Sequence, residues 1–224
     1  MAMPKKPQMS ANKMGEYLKA GVQRRRRILY DAKFPSDAVV PYYQPAAEAI
    51  AQFIAGGMAN MGILDQKMKL LGQENPSSVW HARRITGNID AIETFTGMLD
   101  EIDLQGATPS LGAHQAPKIS FNGVDISVRP DVVLQKYGSV GTMKLHFPKT
   151  NPLDKDAAGY VSAMGFEFAR LHLTQKGTPA AKLCLVVDIA SGQFFPGIAS
   201  TRAKLKEVEA GCTEVAALWP SIQP

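Results

Sequence analysis

Two neighbouring stretches hold the residues whose types and spacing could do chemistry. The first is Val124-Asp125-Ile126-Ser127-Val128-Arg129-Pro130-Asp131-Val132-Val133-Leu134, and the second is Gly141-Thr142-Met143-Lys144-Leu145-His146-Phe147. Apolar and polar residues alternate along both with period two, the pattern of a strand that covers one face. On the first strand, Val128, Pro130, Val132 and Leu134 share one face, while Arg129, Asp131 and Val133 share the other. On the second, Met143, Leu145 and Phe147 oppose Thr142, Lys144 and His146. If the turn Tyr137-Gly138-Ser139-Val140-Gly141 folds the two into an antiparallel hairpin, Asp131 and Lys144 face each other. A carboxylate within a few ångström of an ammonium stabilises both charges. Such a pair is either a cross-strand ion pair on a solvated face or part of a reactive site, and spacing alone leaves both open. Pro130 has no N–H to give a ladder, so it marks a sheet edge or a distortion, and distortions of that kind often sit beside sites.

The elements that must position this pair follow from periodicity. Ser10 is an N-cap for a helix over residues 11–32, with Met14, Leu18, Val22, Ile28 and Leu29 on its apolar stripe. A second helix is expected over 46–58 and a short one over 65–71. Asn75-Pro76-Ser77 then opens the longest stripe, Val79, Ile85, Ile89, Ile92, Phe95, Leu99 and Ile102, with Arg83, Arg84 and Asn88 on the polar side. Residues 106–117 read as a loop. Asn122-Gly123 is a strong hairpin signal between Ile119–Phe121 and the strand that starts at Val124. Helices are expected over 154–174 and 200–218. The apolar run Leu183-Cys184-Leu185-Val186-Val187-Asp188-Ile189 between them suits a strand covered on both faces, and Gln193-Phe194-Phe195 suits a short edge strand. From Ser77 the order is α-β-β-β-α-β, then a short strand and a helix, which makes the chain α/β or α+β with a mixed sheet flanked by helices. The expected division is a disordered tail over 1–9, an N-terminal helical segment over 10–75, and a core over 76–224.

The chain has 224 residues, 45% of them apolar, enough for one sizeable core. No apolar run approaches the ~18 residues of a membrane span. Met1-Ala2-Met3-Pro4-Lys5-Lys6-Pro7 has no apolar segment behind it, so a frayed tail is expected rather than a secretory signal. Cys184 and Cys212 sit in apolar surroundings with no CxxC or histidine partner, as buried free thiols in a reducing, cytoplasmic compartment do. His81, His114, His146 and His172 show no zinc spacing, and neither a nucleotide-binding glycine motif nor a GxSxG elbow occurs. The formal charge is +5, with the excess in the first 35 residues, where Arg24, Arg25, Arg26 and Arg27 run consecutively. Four consecutive helical residues cover about 300–400° of the circumference, so the run cannot lie on one face. It is either a solvated turn that pairs with nearby acids or a phosphate-contacting patch.

Arg129-Pro130-Asp131, a glycine-containing turn and then a strand carrying Lys144 resemble the PD-(D/E)xK nuclease superfamily, in its RecB-like and phage-exonuclease-like branches. The resemblance covers roughly residues 77–189, about half the chain, and the α-β-β-β-α-β order matches that superfamily's core. The segment Met9-Ser10-Ala11-Asn12-Lys13-Met14-Gly15-Glu16-Tyr17-Leu18 is similar to the opening Ser-x-x-x-Leu/Met-x-x-Tyr segment of RecB-like domains. The resemblance implies a restriction-endonuclease-like αβββαβ core with an N-terminal helical annex. It implies that Asp131 and an acid two residues before Lys144 bind Mg²⁺ or Mn²⁺, and that Lys144 positions or activates the attacking water. It also implies that Glu93 or Glu48 adds a ligand and that Tyr160 lines the site. His146 shares the face of Lys144 and is a further metal-ligand candidate. The chain departs from the pattern at Thr142, a hydroxyl where the motif has a carboxylate, and hard divalent cations prefer anionic oxygen.

Three functions follow from these residues. One is a DNA-associated protein with a degenerate site that binds through Arg24, Arg25, Arg26, Arg27, Arg83, Arg84, Arg129 and Lys144 without cutting. The second is an active Mg²⁺- or Mn²⁺-dependent nuclease that recruits ligands from Glu93, Glu48 or His146. The third is a non-catalytic interaction subunit, for instance of a phage or defence assembly. DNA is expected before RNA as the partner and no membrane is expected; self-association or a protein partner is left open.

Overall fold

In the computed structural model, which describes residues 6–35, 42–113 and 115–223, a mixed sheet built from the middle of the chain is covered by helices on both faces. Residues 1–5 of the expected tail, residues 36–41 of the expected loops and His114 lie outside the described residues. The helices are α1 (Ala11–Lys19), α2 (Val22–Lys33), α3 (Gln44–Ala55), α4 (Gly62–Gln73), α5 (Val79–Gly97), α6 (Lys155–His172) and α7 (Thr201–Leu218). The strands are β1 (Gln8–Ser10), β2 (Thr108–Leu111), β3 (Ile119–Phe121), β4 (Val124–Ser127), β5 (Val132–Lys136), β6 (Ser139–His146), β7 (Thr178–Pro179), β8 (Leu185–Asp188) and β9 (Gln193–Phe195). The class is mixed α/β of the α+β kind, and among the described residues no helix is long and apolar enough to cross a membrane. Side-chain oxygens start three of the helices: Ser10, Ser78 and Asp154 accept from the backbone N–H groups of Lys13, His81 and Ala157.

The larger sheet runs β2-β5-β6-β8-β9, with β7 paired to β6. β2, β5 and β6 are antiparallel neighbours, whereas β8 is parallel to β6 and is reached through the crossover helix α6. Its central strands are buried on both faces, which explains their near-continuous apolar runs. Val133, Val140 and Val186 join the core built with α1, α6 and α7; Val132, Leu134, Met143, Leu145, Leu185 and Val187 join the core built with α3, α4 and α5. A smaller sheet, β1-β4-β3, adds Ile119, Val124 and Ile126 to the first core.

Five expectations are corrected. The strand expected over 124–134 is two strands in two sheets, β4 and β5, because the chain turns at Arg129, in a left-handed conformation at φ 41°, and at Pro130. The expected loop over 106–117 contains β2, which pairs with β5 and holds Pro109 on an outer strand, where a missing N–H is tolerated. The helix expected over 11–32 breaks into α1 and α2 at Ala20-Gly21. The Arg25 guanidinium reaches back to the Tyr17, Leu18 and Ala20 carbonyls and takes over the acceptors that end α1. Gln8 and Met9, expected in a frayed tail, pair in parallel with β4, and Met9 is buried. The helices of residues 10–75 also divide between the two cores rather than packing as one annex.

Candidate functional site

The expected pair forms. Lys144 Nζ lies 2.9 Å from Asp131 Oδ2, and both side chains are about four-fifths buried, at 19% and 20% exposure. The local chain explains why. After Ser127 the backbone leaves the small sheet, passes Arg129 and Pro130, and starts the β5–β6 ladder where the Asp131 N–H donates to the Met143 carbonyl at 3.0 Å. β6 runs on past the start of β5, so the backbone groups of Leu145 on that side have no strand opposite. Side chains satisfy them: Asp131 Oδ2 accepts from the Leu145 N–H at 2.8 Å, and Asn12 Nδ2 of α1 donates to the Leu145 carbonyl at 3.1 Å. Lys144 Nζ also donates to the Arg129 carbonyl at 2.9 Å, tying down the left-handed residue of the crossing. Gly112 completes the arrangement, because any Cβ there would overlap the Pro130 carbonyl. Asp131 and Lys144 therefore brace the passage of the chain between two sheets.

The other metal-ligand candidates are not gathered around Asp131. Thr142, 3% exposed, faces α6, and a Cβ built on Gly165 would stand 2.5 Å from its Oγ1, so the position of the motif's acid is core. Glu93 is exposed on α5, which packs on the opposite face of the sheet. Glu48 on α3 accepts from Gln44 Nε2. Tyr160 donates to Glu207 of α7 and lies 4.1 Å from Lys204 Nζ, turned toward α7. Among the described residues no group of three or more His, Cys, Asp and Glu side chains is placed to hold a metal ion. The one carboxylate at Lys144 already serves a backbone N–H and an ammonium, so the residues present do not fit Mg²⁺ or Mn²⁺. Burial pushes the Cys184 thiol up to about 11, so it is no nucleophile at neutral pH.

His146 is 3% exposed at the end of β6. Its Nε2 lies 2.8 Å from the Asn151 carbonyl, which can only accept, so Nε2 carries the proton and Nδ1 is left as an acceptor. Across the parallel register stands Asp188, fully buried, whose carboxylate accepts from the Leu153 and Ala190 N–H groups. Burial holds the His146 ring below its ordinary value of 6.5, outweighing the Asn151 carbonyl and the Asp188 and Glu16 carboxylates, which favour the charged ring. The native state then binds fewer protons than the unfolded chain as pH falls below that ordinary value. The stability tied to this ring is complete above pH 6.5 and is lost as pH drops from there toward the folded-state value. The urea midpoint is expected to decline in that window for the wild type and to stay flatter in His146→Gln, whose amide keeps a donor for Asn151. An equal decline in both proteins contradicts the assignment.

The arginine run is largely engaged. Arg24 Nη2 is 2.5 Å from Glu16 Oε1, Arg25 binds both oxygens of Glu214, and Arg27 pairs with Asp31 one turn on. Arg26 is exposed, as are Arg83 and Arg129, and no ion pair to these three is found among the described residues; Arg84 is half-buried.

Sequence reasoning missed a cleft of about 240 Å³ beside the brace, lined by Asn12, Lys13, Tyr43, His146, Phe147 and Pro148 among others. Tyr43 and Phe147 stack there, with centroids 5.4 Å apart and planes inclined by 19°. Its walls come from α1, the start of α3 and the end of β6, and no local pattern links those segments. No protein-family model matches the chain, and no curated protein or solved structure matches it.

Proposed function

We propose that the protein binds nucleic acid, DNA before RNA, on a nuclease-like αβββαβ framework whose catalytic centre no longer assembles. The observation that carries this reading is the pairing of Asp131 with Lys144 at one end of the β5–β6 hairpin, within the order α5-β2-β5-β6-α6-β8 that is left when β3 and β4 of the small sheet and the two-residue β7 are set aside. The first strand of that order is β2, not the β3 strand expected from the sequence. Thr142 under α6 and the absence of a carboxylate cluster among the described residues support binding without cutting. The net charge of +5 and the exposed guanidiniums of Arg26, Arg83 and Arg129 support a polyanionic partner.

Fluorescence anisotropy with labelled single- and double-stranded DNA tests this. Binding is expected at low ionic strength, with affinity falling linearly in log salt, and the strand is expected to remain intact when Mg²⁺ or Mn²⁺ is added. Arg129→Glu is expected to weaken binding on all sequences alike and to lower the salt slope by about 1. Absence of binding at low salt overturns the reading in favour of a role without nucleic acid.

A further inference from the structure

A second cleft, of about 440 Å³, lies between α2 and the turn that follows α7. Gln23, Arg26, Arg27 and Tyr30 line one side, at the i, i+3, i+4 and i+7 spacing that shares one helix face. Leu218 and Ile222 stand on the other side. Lys33 Nζ donates to the Trp219 and Ile222 carbonyls at 2.7 and 2.8 Å, which pins the turn to α2 and fixes the two walls. The charge of the cleft follows from which arginines of the run find acids. Arg24, Arg25 and Arg27 each pair with a carboxylate, whereas Arg26 is exposed in the cleft with no ion pair among the described residues. No acidic side chain among the described residues lines the cleft, and Arg27 meets Asp31 through Nε, at 2.9 Å. A planar guanidinium with free N–H groups matches a phosphate through two parallel bonds. Beside it lie the Tyr30 ring, its centroid 5.4 Å from the Arg27 guanidinium carbon, and the aliphatic side chains of Leu218 and Ile222. The cleft thus joins an anion-binding end to an apolar surface. Its volume lies within the roughly 300–1,000 Å³ of sites for drug-sized molecules.

We propose that this cleft seats one nucleotide unit, with its phosphate on Arg26 and Arg27 and its base against Tyr30, Leu218 and Ile222. These contacts address a phosphate and a flat face, which every nucleotide offers, so they carry no base preference. The unit comes from an unpaired strand or from a free nucleotide, because a paired base keeps its faces inside the stack. This inference rests on the nucleic-acid-binding reading above and gives the strand a seat on α2, lined by no residue of β5 or β6.

The test uses the full chain, with anisotropy of a labelled single DNA strand and calorimetry with AMP and with inorganic phosphate. Arg26→Gln keeps a good helix former at an exposed position, and the thermal midpoint checks that it folds. It is expected to weaken single-strand binding several-fold and to lower the salt slope by about 0.7, the share of one phosphate on a single strand. Tyr30→Leu keeps the apolar bulk and removes the flat ring. It is expected to weaken binding several-fold with the salt slope unchanged. Losses in both variants without AMP binding assign the seat to strands, and saturable AMP binding that Arg26→Gln abolishes assigns it to free nucleotides as well. AMP binding without strand binding supports the seat and overturns the DNA-binding reading. Inorganic phosphate bound as tightly as AMP, or wild-type strand affinity in Tyr30→Leu, overturns the nucleotide seat. Wild-type strand affinity and salt slope in both variants overturn it too and leave the DNA-binding reading standing. No binding of strand or AMP by the wild type overturns both.

Discussion

Thr142→Glu, which puts a carboxylate two residues before Lys144, is expected to destabilise the protein and to give it no metal site. The side chain at this position is 3% exposed and pressed against Gly165 of α6, with Cys184 beside it. A glutamate there is too large for the space, at a cost of about 1–3 kcal/mol for overpacking. Burying its carboxylate also strips it of water, which adds a few kcal/mol or forces it to take up a proton. A total of about 4 kcal/mol is a large part of the roughly 5–15 kcal/mol that holds an ordinary domain together. For a chain of this length it corresponds to a fall of about 8–16 °C in the thermal midpoint. Calorimetry of wild type and variant checks this. A variant as stable as the wild type, with a midpoint that rises in Mn²⁺, shows instead that the position opens onto a metal site.

Asp131→Ala carries the second large effect. It leaves the Leu145 N–H without its acceptor and the Lys144 ammonium, 19% exposed, with only the Arg129 carbonyl for company. An unsatisfied buried donor costs about 1–3 kcal/mol, and removing one partner of a largely buried ion pair adds to it; together about 3 kcal/mol is expected. Asp131→Asn keeps an oxygen for the Leu145 N–H and loses only the charge, so about 1 kcal/mol is expected. Urea unfolding at neutral pH separates the two. A carboxylate retained for metal chemistry behaves oppositely: it is a source of strain, and its removal leaves stability unchanged or raises it. Equal or higher stability in Asp131→Ala therefore removes the bracing role.

The sequence made the framework readable wherever local pattern and tertiary surroundings agree. Period-two alternation put Asp131 and Lys144 on one face, and they meet. Asn122-Gly123 marked a hairpin, and both residues adopt positive φ, 46° and 85°, as a two-residue turn between strands requires. The apolar run at Leu185-Val186-Val187-Asp188 is a strand buried on both faces. Reading failed where a distant residue decides. Nothing in residues 11–32 shows that Arg25 folds back on the carbonyls of α1 and then reaches Glu214 of α7. Nothing near Thr142 shows that a glycine 23 positions later lets α6 sit directly on it. The cleft was hidden for the same reason, since Asn12, Tyr43 and His146 share no periodicity and are brought together only by the fold.

The most direct measurement combines binding and integrity of DNA in one tube: linear and circular DNA at low ionic strength, with Mg²⁺ or Mn²⁺, incubated with wild type and with Asp131→Asn. The account predicts that both proteins retard the DNA in a salt-sensitive manner and that neither shortens nor nicks it. Cleavage by the wild type that disappears in a folded Asp131→Asn variant contradicts it and makes Asp131 a catalytic residue.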